Sequence, residues 1–155
     1  MKTTYIMAIL LMGVMATTAC VYASEANIGD YTFTVPKGFE VIDSGDVVHM
    51  NKTDNTQSLT VMASEKDITS SESVNNMAQG LEDQGYDVYN KNTFKYKGTE
   101  ITQIDYKNSL GRGHMYLWKT DDTCIGIVYG HIVAAGDGKW DTSPAKEVFD
   151  TLKKA

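Results

Sequence analysis

Few residues in this 155-residue chain have types and spacing that suit chemistry at a site. In "HMYLWKT", the period of two along a strand puts His114, Tyr116 and Trp118 on one side and Met115 and Leu117 on the other. Aromatic side chains with polar tips along one face can form a binding platform, because Trp and Tyr concentrate contact energy at interfaces. The pattern favours a plainer arrangement, in which this face lies under a helix or at the sheet margin and each polar tip reaches water. His49, His114 and His131 are each expected on, or at the end of, a different strand. Separate strands can assemble a zinc site, but there is no helical i, i+4 pair and no close cysteine. Strand histidines with the ring partly buried and one nitrogen hydrogen-bonded account for them better. No metal and no cofactor is expected.

The motifs of catalysis are missing. There is no H-E-x-x-H, C-x-x-C, G-x-S-x-G, Walker loop or G-x-G-x-x-G. Acid–base work by paired carboxylates needs two acids in one cleft with different environments. Glu65, Asp67, Asp121 and Asp122 instead fall in turns and at predicted helix starts, as solvated acids do. The oxygen-rich stretches "NKTDNTQ" and "GDGKWD" lack the alternating acids and terminal glutamate of an EF-hand loop, so turn chemistry explains them. No nucleophile stands beside a base, and the reading is that the protein is not an enzyme.

The elements that must position these residues are mostly strands. "YTFTV" alternates, with Tyr31, Phe33 and Val35 on one face, "PKG" turns the chain, and "FEVI", "VVHM" and "SLTVMA" follow as short strands. Val74, Met77, Ala78 and Leu81 recur at helical spacing, with Ser71 or Ser73 as N-cap and Gly85 as stop. Strands around "YDVYNKNTFKY" and "TEITQIDY" flank a turn at Lys97–Gly98, and the opposite parity of Ile101 and Ile104 implies a bulge or cover on both faces. "TCIGIVYGHIV" is apolar on both sides and should lie centrally. A last helix starts at Ser143 and Pro144, buries Ala145, Val148, Phe149 and Leu152, and ends at Lys153 and Lys154. The fold class is α+β, an antiparallel sheet of about seven to eight strands in ββββ-α-ββββ-α order with two helices packed on it.

The N-terminus carries an export signature. Lys2 is the only charge before Glu25, and Tyr5 to Ala16 is an unbroken apolar run. Val21, Tyr22 and Ala23 suit a signal peptidase, so residues 1–23 read as a signal peptide cut between Ala23 and Ser24, leaving residues 24–155 as one domain. Two alternatives stay open. Cys20 follows Thr17, Thr18 and Ala19, which supply the small residues of a lipid-attachment site without its leucine-like one. An uncut anchor is the other. Cleavage would leave Cys124 as a lone thiol in an apolar run, where burial is the ordinary outcome. A formal charge of −6 and a pI near 4.9 argue against nucleic acid and anionic membrane surfaces as partners.

The opening "FTVPKGFEVI" (Phe33 to Ile42), with the element order above, resembles the PsbP-like families. These are small α+β domains that include the extrinsic photosystem II subunit, the Ran nucleotide-release factor of nuclear import and many short exported prokaryotic proteins. The resemblance spans Tyr31 to Leu152 and implies a scaffold rather than an activity, because the families differ in function. No functional residues carry over. The expectation is an exported (secreted, periplasmic or cell-surface) non-catalytic domain that binds an unknown protein or small ligand. A small apolar-ligand or lipid carrier, and an enzyme without a recognisable motif, are the alternatives.

Overall fold

The computed structural model describes residues 25–136 and 138–155. The expected leader, its Ala23/Ser24 junction and Cys20 lie outside the described residues. Among the described residues, no helix is long and apolar enough to cross a membrane.

The chain begins with β1 (Glu25–Ile28) and β2 (Tyr31–Thr34), an antiparallel hairpin. Its alternation buries Ala26, Ile28, Tyr31 and Phe33 on one face. Pro36 cannot donate to a ladder, and Gly38 at φ 85° closes a tight turn in which the Phe39 N–H donates to the Pro36 carbonyl at 3.1 Å. The turn carries the chain into a second, larger sheet. There β3 (Phe39–Asp43), β4 (Val47–Lys52) and β5 (Gln57–Ser64) form a meander.

Helix α1 (Ser71–Asp83) follows. Its N-cap is Ser70, one residue before the earlier of the two expected serines, and the Ser70 hydroxyl accepts from the Ser73 N–H. Val74, Met77, Ala78 and Leu81 form its buried stripe, as the spacing predicts. Gly85 at φ 91° ends it, with Gly85 N–H on the Glu82 carbonyl and Tyr86 N–H on the Leu81 carbonyl, a Schellman arrangement.

Next come β6 (Asp87–Tyr96), β7 (Thr99–Lys107), β8 (Arg112–Lys119) and β9 (Cys124–His131). Lys97 (φ 48°) and Gly98 (φ 78°) make the β6–β7 turn, the left-handed pair that matches strand twist. Seven strands join in the order β3-β4-β5-β9-β8-β7-β6, and every neighbouring pair is antiparallel. β9 is the middle strand, as its two apolar faces require. Ile101 and Ile104 are both fully buried, on opposite faces, so cover on both sides explains their parity.

Two short 3-10 turns (Val133–Ala135 and Trp140–Thr142) lead to α2 (Pro144–Thr151), capped by Ser143, whose hydroxyl accepts from the Ala145 N–H at 3.1 Å. Leu152 leaves helical backbone, and Lys153 and Lys154 form β10, paired with Thr32 and Tyr31 of β2. They complete the small β1-β2-β10 sheet instead of extending the helix as the sequence suggested. The Ala155 N–H on the Asp30 carbonyl and the Lys154 ammonium on Asp122 hold that end down.

The result is three layers, with the large sheet in the middle. α1 covers one face, placing Val74, Met77 and Leu81 on Ile104, Met115 and Leu117. The small sheet and α2 cover the other, placing Ile28, Phe33 and Val148 on Leu59, Tyr116 and Ile127. The class is the expected α+β. The element order differs by β1 and β10, which the sequence reading did not include; β10, at two residues, is too short to show a period.

Candidate functional site

His114, Tyr116 and Trp118 do share one face of β8, but they are only 1%, 0% and 3% exposed. The small sheet and α2 lie over them: Trp118 packs on Phe149 and Tyr116 on Trp140, with ring centroids 5.0 Å apart in each pair. The Tyr116 hydroxyl donates to the Gly138 carbonyl at 3.2 Å. An open aromatic platform is therefore not formed at these positions, because the aromatic area is spent on the core beneath α2.

The same face becomes polar toward the end that carries His131. Antiparallel register sets Asp105 opposite both Asn90 and His114, and His131 lies diagonal to His114 across β9. His114 Nδ1 is 2.6 Å from Asp105 Oδ1, His114 Nε2 is 2.9 Å from His131 Nε2, and His131 Nδ1 is 2.8 Å from the Ile132 carbonyl. The two imidazoles are nearly coplanar, at 13°. Asp105 also accepts from Gln103 Nε2 and Asn90 Nδ2, both at 2.8 Å. Burial acts to raise the Asp105 pKa, but the bonds from His114, Asn90 and Gln103 outweigh it and hold the carboxyl below its ordinary value. Gly138 (φ 70°) covers the row so closely that a Cβ there would sit 2.2 Å from His114 Cε1.

Beside this row an open cleft of about 590 Å³ lies between the turn before β3, the end of β4 and the start of α2. Its lining includes Lys37, Lys52, Lys139 and Glu147, with Gln57 and Tyr129 below them. The Tyr129 hydroxyl donates to Gln57 Oε1 at 2.6 Å, and Gln57 Nε2 donates to the Ala135 carbonyl at 3.2 Å. Ala134, Ala135 and Gly136 form one wall, so the segment that covers the histidine row also bounds the cleft. Six other lysines (Lys97, Lys107, Lys119, Lys146, Lys153 and Lys154) have carboxylate partners. Lys37 and Lys52 have none within ion-pair distance among the described residues.

The described part of this architecture matches solved structures. The solution structure of cyanobacterial PsbP (CyanoP) from Synechocystis sp. PCC 6803 superposes with a TM-score of 0.56 at 15% identity, over 91% of this chain and 99% of that one. The fold is PsbP-like. A Bacteroides thetaiotaomicron crystal structure at 1.50 Å aligns more loosely, with a TM-score of 0.44 and 14% identity over 81% of this chain and 45% of that one. No family model matches the sequence, and no curated protein does. At this identity the PsbP-like scaffold transfers and site residues do not.

Of the three histidines, the fold brings together two. His49 sits apart on β4, with Nδ1 2.9 Å from Thr60 Oγ1, and burial lowers its pKa against the opposing charge of Asp43. Among the described residues, no group of three or more His, Cys, Asp or Glu could hold a metal ion. Cys124 is buried. Asp67 and Asp122 sit in turns, paired with Lys119 and Lys154, as solvated acids do. The sequence reading missed Asp105, Gln103 and Asn90. Their common parity with Ile101 and Phe94 was visible, but the strand register that aligns them with His114 was not.

Proposed function

We propose that the protein is a non-catalytic binding domain that works outside the cytoplasm and takes an anionic group, on a small ligand or a protein partner, in the cleft of Lys37, Lys52 and Lys139. The observation that carries this reading is the convergence of three lysines on one open cleft in a chain of formal charge −6. Three lysines against the single Glu147 leave the cleft net positive, which attracts the opposite sign, and low-dielectric walls strengthen the attraction. The Gln57 and Tyr129 side chains, fixed against each other, add polar groups that orient a ligand. The PsbP-like scaffold and the leader-like N-terminus support a small exported domain.

The alternatives fit the geometry less well. A lipid or apolar carrier needs an apolar pocket, and lysines at the mouth of this cleft work against one. An enzyme built on the histidine row needs an imidazole nitrogen that reaches substrate. His114 is 1% exposed and both its ring nitrogens are already engaged, with Asp105 and His131.

Citrate, a tricarboxylate, is a suitable probe. Titrated into 15N-labelled protein, it should shift the amide resonances of Lys37, Lys52 and Ala134–Gly136 with a Kd of about 1 mM or tighter. The double variant Lys37→Gln/Lys52→Gln should lose those shifts while keeping the rest of the spectrum. Shifts confined to other surfaces, or equal in the variant, would remove the cleft from consideration.

A further inference from the structure

Among the described residues, the large apolar side chains left exposed are Ile42, Tyr89, Leu110, Ile132 and Val133. All but Ile42 gather at one end of the large sheet, where β6 starts, β7 turns into β8 and β9 finishes. The register joins them. Arg112 pairs with Lys107 and with His131, and a Cβ on Gly111 would sit 3.6 Å from Ile132 Cα, so the Leu110 turn stands against the chain leaving β9. Tyr89 closes the group on the β6 side, bonded to the Arg112 guanidinium and with the Lys107 ammonium 5.3 Å from its ring centre. Leu110 is 71% exposed and Val133 58%, and apolar exposure gathered in one place marks a contact surface. The Leu110 turn is also satisfied from within. Asn108 Oδ1 accepts from the Leu110 N–H at 2.8 Å and the Gly111 N–H at 3.1 Å, and the Gly111 carbonyl accepts from the Asn108 N–H at 3.0 Å. A tip bonded this way enters an apolar medium without stranding those donors.

We infer that this end of the domain lies against a bilayer of zwitterionic phospholipid, with Leu110, Ile132 and Val133 entering the headgroup–acyl boundary and Tyr89, Lys107 and Arg112 at the level of the phosphates. The make-up of the group selects lipid over a protein partner. Its tips are aliphatic, and Leu and Val are under-represented among the residues that carry protein–protein binding energy. Behind the tips stand an aromatic hydroxyl and two long cations, side chains that settle at a membrane–water boundary with the apolar part inward and the polar tip outward. Arg112, the chain's only arginine, has no carboxylate partner among the described residues and is free to reach a phosphate. The nearby acids are engaged, Asp87 with Lys107 and Asp54 with Thr56. The path of the chain points the same way. Glu25 pairs with Thr34, just before Lys37 of the cleft, and the cleft wall at Ala134 follows directly on Val133. Residues 1–24, with the apolar run from Tyr5 to Ala16, therefore join the domain at the end that carries the tips. A formal charge of −6 opposes an anionic surface, which leaves a zwitterionic one. The inference goes beyond the anion cleft and does not depend on it.

The test uses the chain as an exporting host delivers it, added to phosphatidylcholine vesicles whose acyl chains carry bromine, a contact quencher of tryptophan. Leu110→Trp puts a reporter on a tip. Gly45→Trp puts one in the β3–β4 turn at the opposite end of the sheet, where a new Cβ meets no atom within 4 Å. Trp118 and Trp140 give both variants the same background. Compared with unbrominated vesicles, Leu110→Trp should lose emission and shift to the blue, while Gly45→Trp keeps its emission. No loss at Leu110→Trp, or equal loss in both variants, overturns the inference. Adding Ile132→Ser and Val133→Ser to Leu110→Trp should draw the reporter back toward water and weaken the quenching. Unchanged quenching would mean that the N-terminal segment rather than the tips sets how the domain sits, and overturns the insertion. Wild-type protein that sediments as a dimer without lipid, and as a monomer once Leu110→Ser is made, would give the tips to a second copy and overturn the inference likewise. The citrate titration contains no lipid and this test no citrate, so the two proposals fail separately.

Discussion

Beneath α1 the large sheet presents Ile104, Tyr106, Met115, Leu117 and Val128, an apolar surface met by an apolar helix stripe. The opposite face starts the same way, with Ile101, Tyr116, Trp118 and Ile127 under α2 and the small sheet, and then turns polar at Gln103, Asp105, His114 and His131. The two faces belong to the same strands, so propensity cannot explain the difference. What separates them is their cover. A regular helix brings a continuous apolar stripe, with its backbone groups bonded internally. The cover near Gly136 and Gly138 is irregular backbone, whose carbonyls must be satisfied from below, and the Tyr116 hydroxyl on Gly138 and His131 on Ile132 do that. A polar seam under a loop is what a buried irregular segment requires. Unpartnered buried groups occur on both sides, the Tyr86 and Tyr106 hydroxyls under α1 and Trp140 Nε1 in the irregular cover opposite.

The comparison breaks most visibly where the second face is apolar. Trp118→Ala removes a ring packed on Phe149 and should cost about 3–5 kcal/mol in chemical denaturation, with an unchanged denaturant slope. A cost below 1 kcal/mol would mean that this face is not core. Asp105→Asn tests the polar part, where replacing the buried carboxylate that accepts from His114, Asn90 and Gln103 should cost about 1–3 kcal/mol near neutrality. The sign with pH follows from the lowered Asp105 pKa. Its contribution is complete above the ordinary value of 3.8 and is lost as pH falls through the lower folded-state value. The variant should therefore lose less stability than wild type between pH 4 and pH 2. Equal acid limbs would detach Asp105 from the acid transition.

Gly113→Ala tests the α1 face alone. The new Cβ would lie 2.1 Å from the Tyr106 ring, which is 2% exposed and cannot swing into water. Overpacking of this kind should cost about 1–3 kcal/mol and leave the His114 ring signals in place. Matching disturbance of those signals would show that the two faces communicate through β8.

These faces were legible in the sequence to different depths. The α1 face was plain, since Val74, Met77, Ala78 and Leu81 keep helical period and Met115, Leu117 and Val128 keep strand period. The central place of β9 followed from its two apolar faces. Cover over Tyr116 and Trp118 was the favoured reading, but what covers them was not legible, because alternation shows which side a residue faces and not what lies over that side. The polar seam was invisible for a different reason. Asp105, His114 and His131 stand on three strands, and only the pairing Asp105↔His114 and the diagonal to His131 make them a unit. The cleft was hidden further still: Lys37, Lys52 and Lys139 come from a turn, a strand end and a loop, and none shares a period with another.

The smallest expected effect separates the two helices that cover these faces. Both start with a serine cap: Ser70 bonds the Ser73 N–H at 3.2 Å, and Ser143 bonds the Ala145 N–H at 3.1 Å. Replacing either by alanine should cost about 0.5–2 kcal/mol. Ser143→Ala belongs at the upper end, because Ser143 is 4% exposed and water reaches the lost acceptor's place less readily, whereas the Ser70 cap is only half-buried. Ser143 also lines the cleft, so its loss should disturb the citrate-induced shifts, and Ser70→Ala should leave them unchanged. If both variants lose the same stability, water satisfies the α2 start as readily as the α1 start. The irregular cover would then be wetter than its packing indicates, and the contrast between the two faces would narrow to the histidine row.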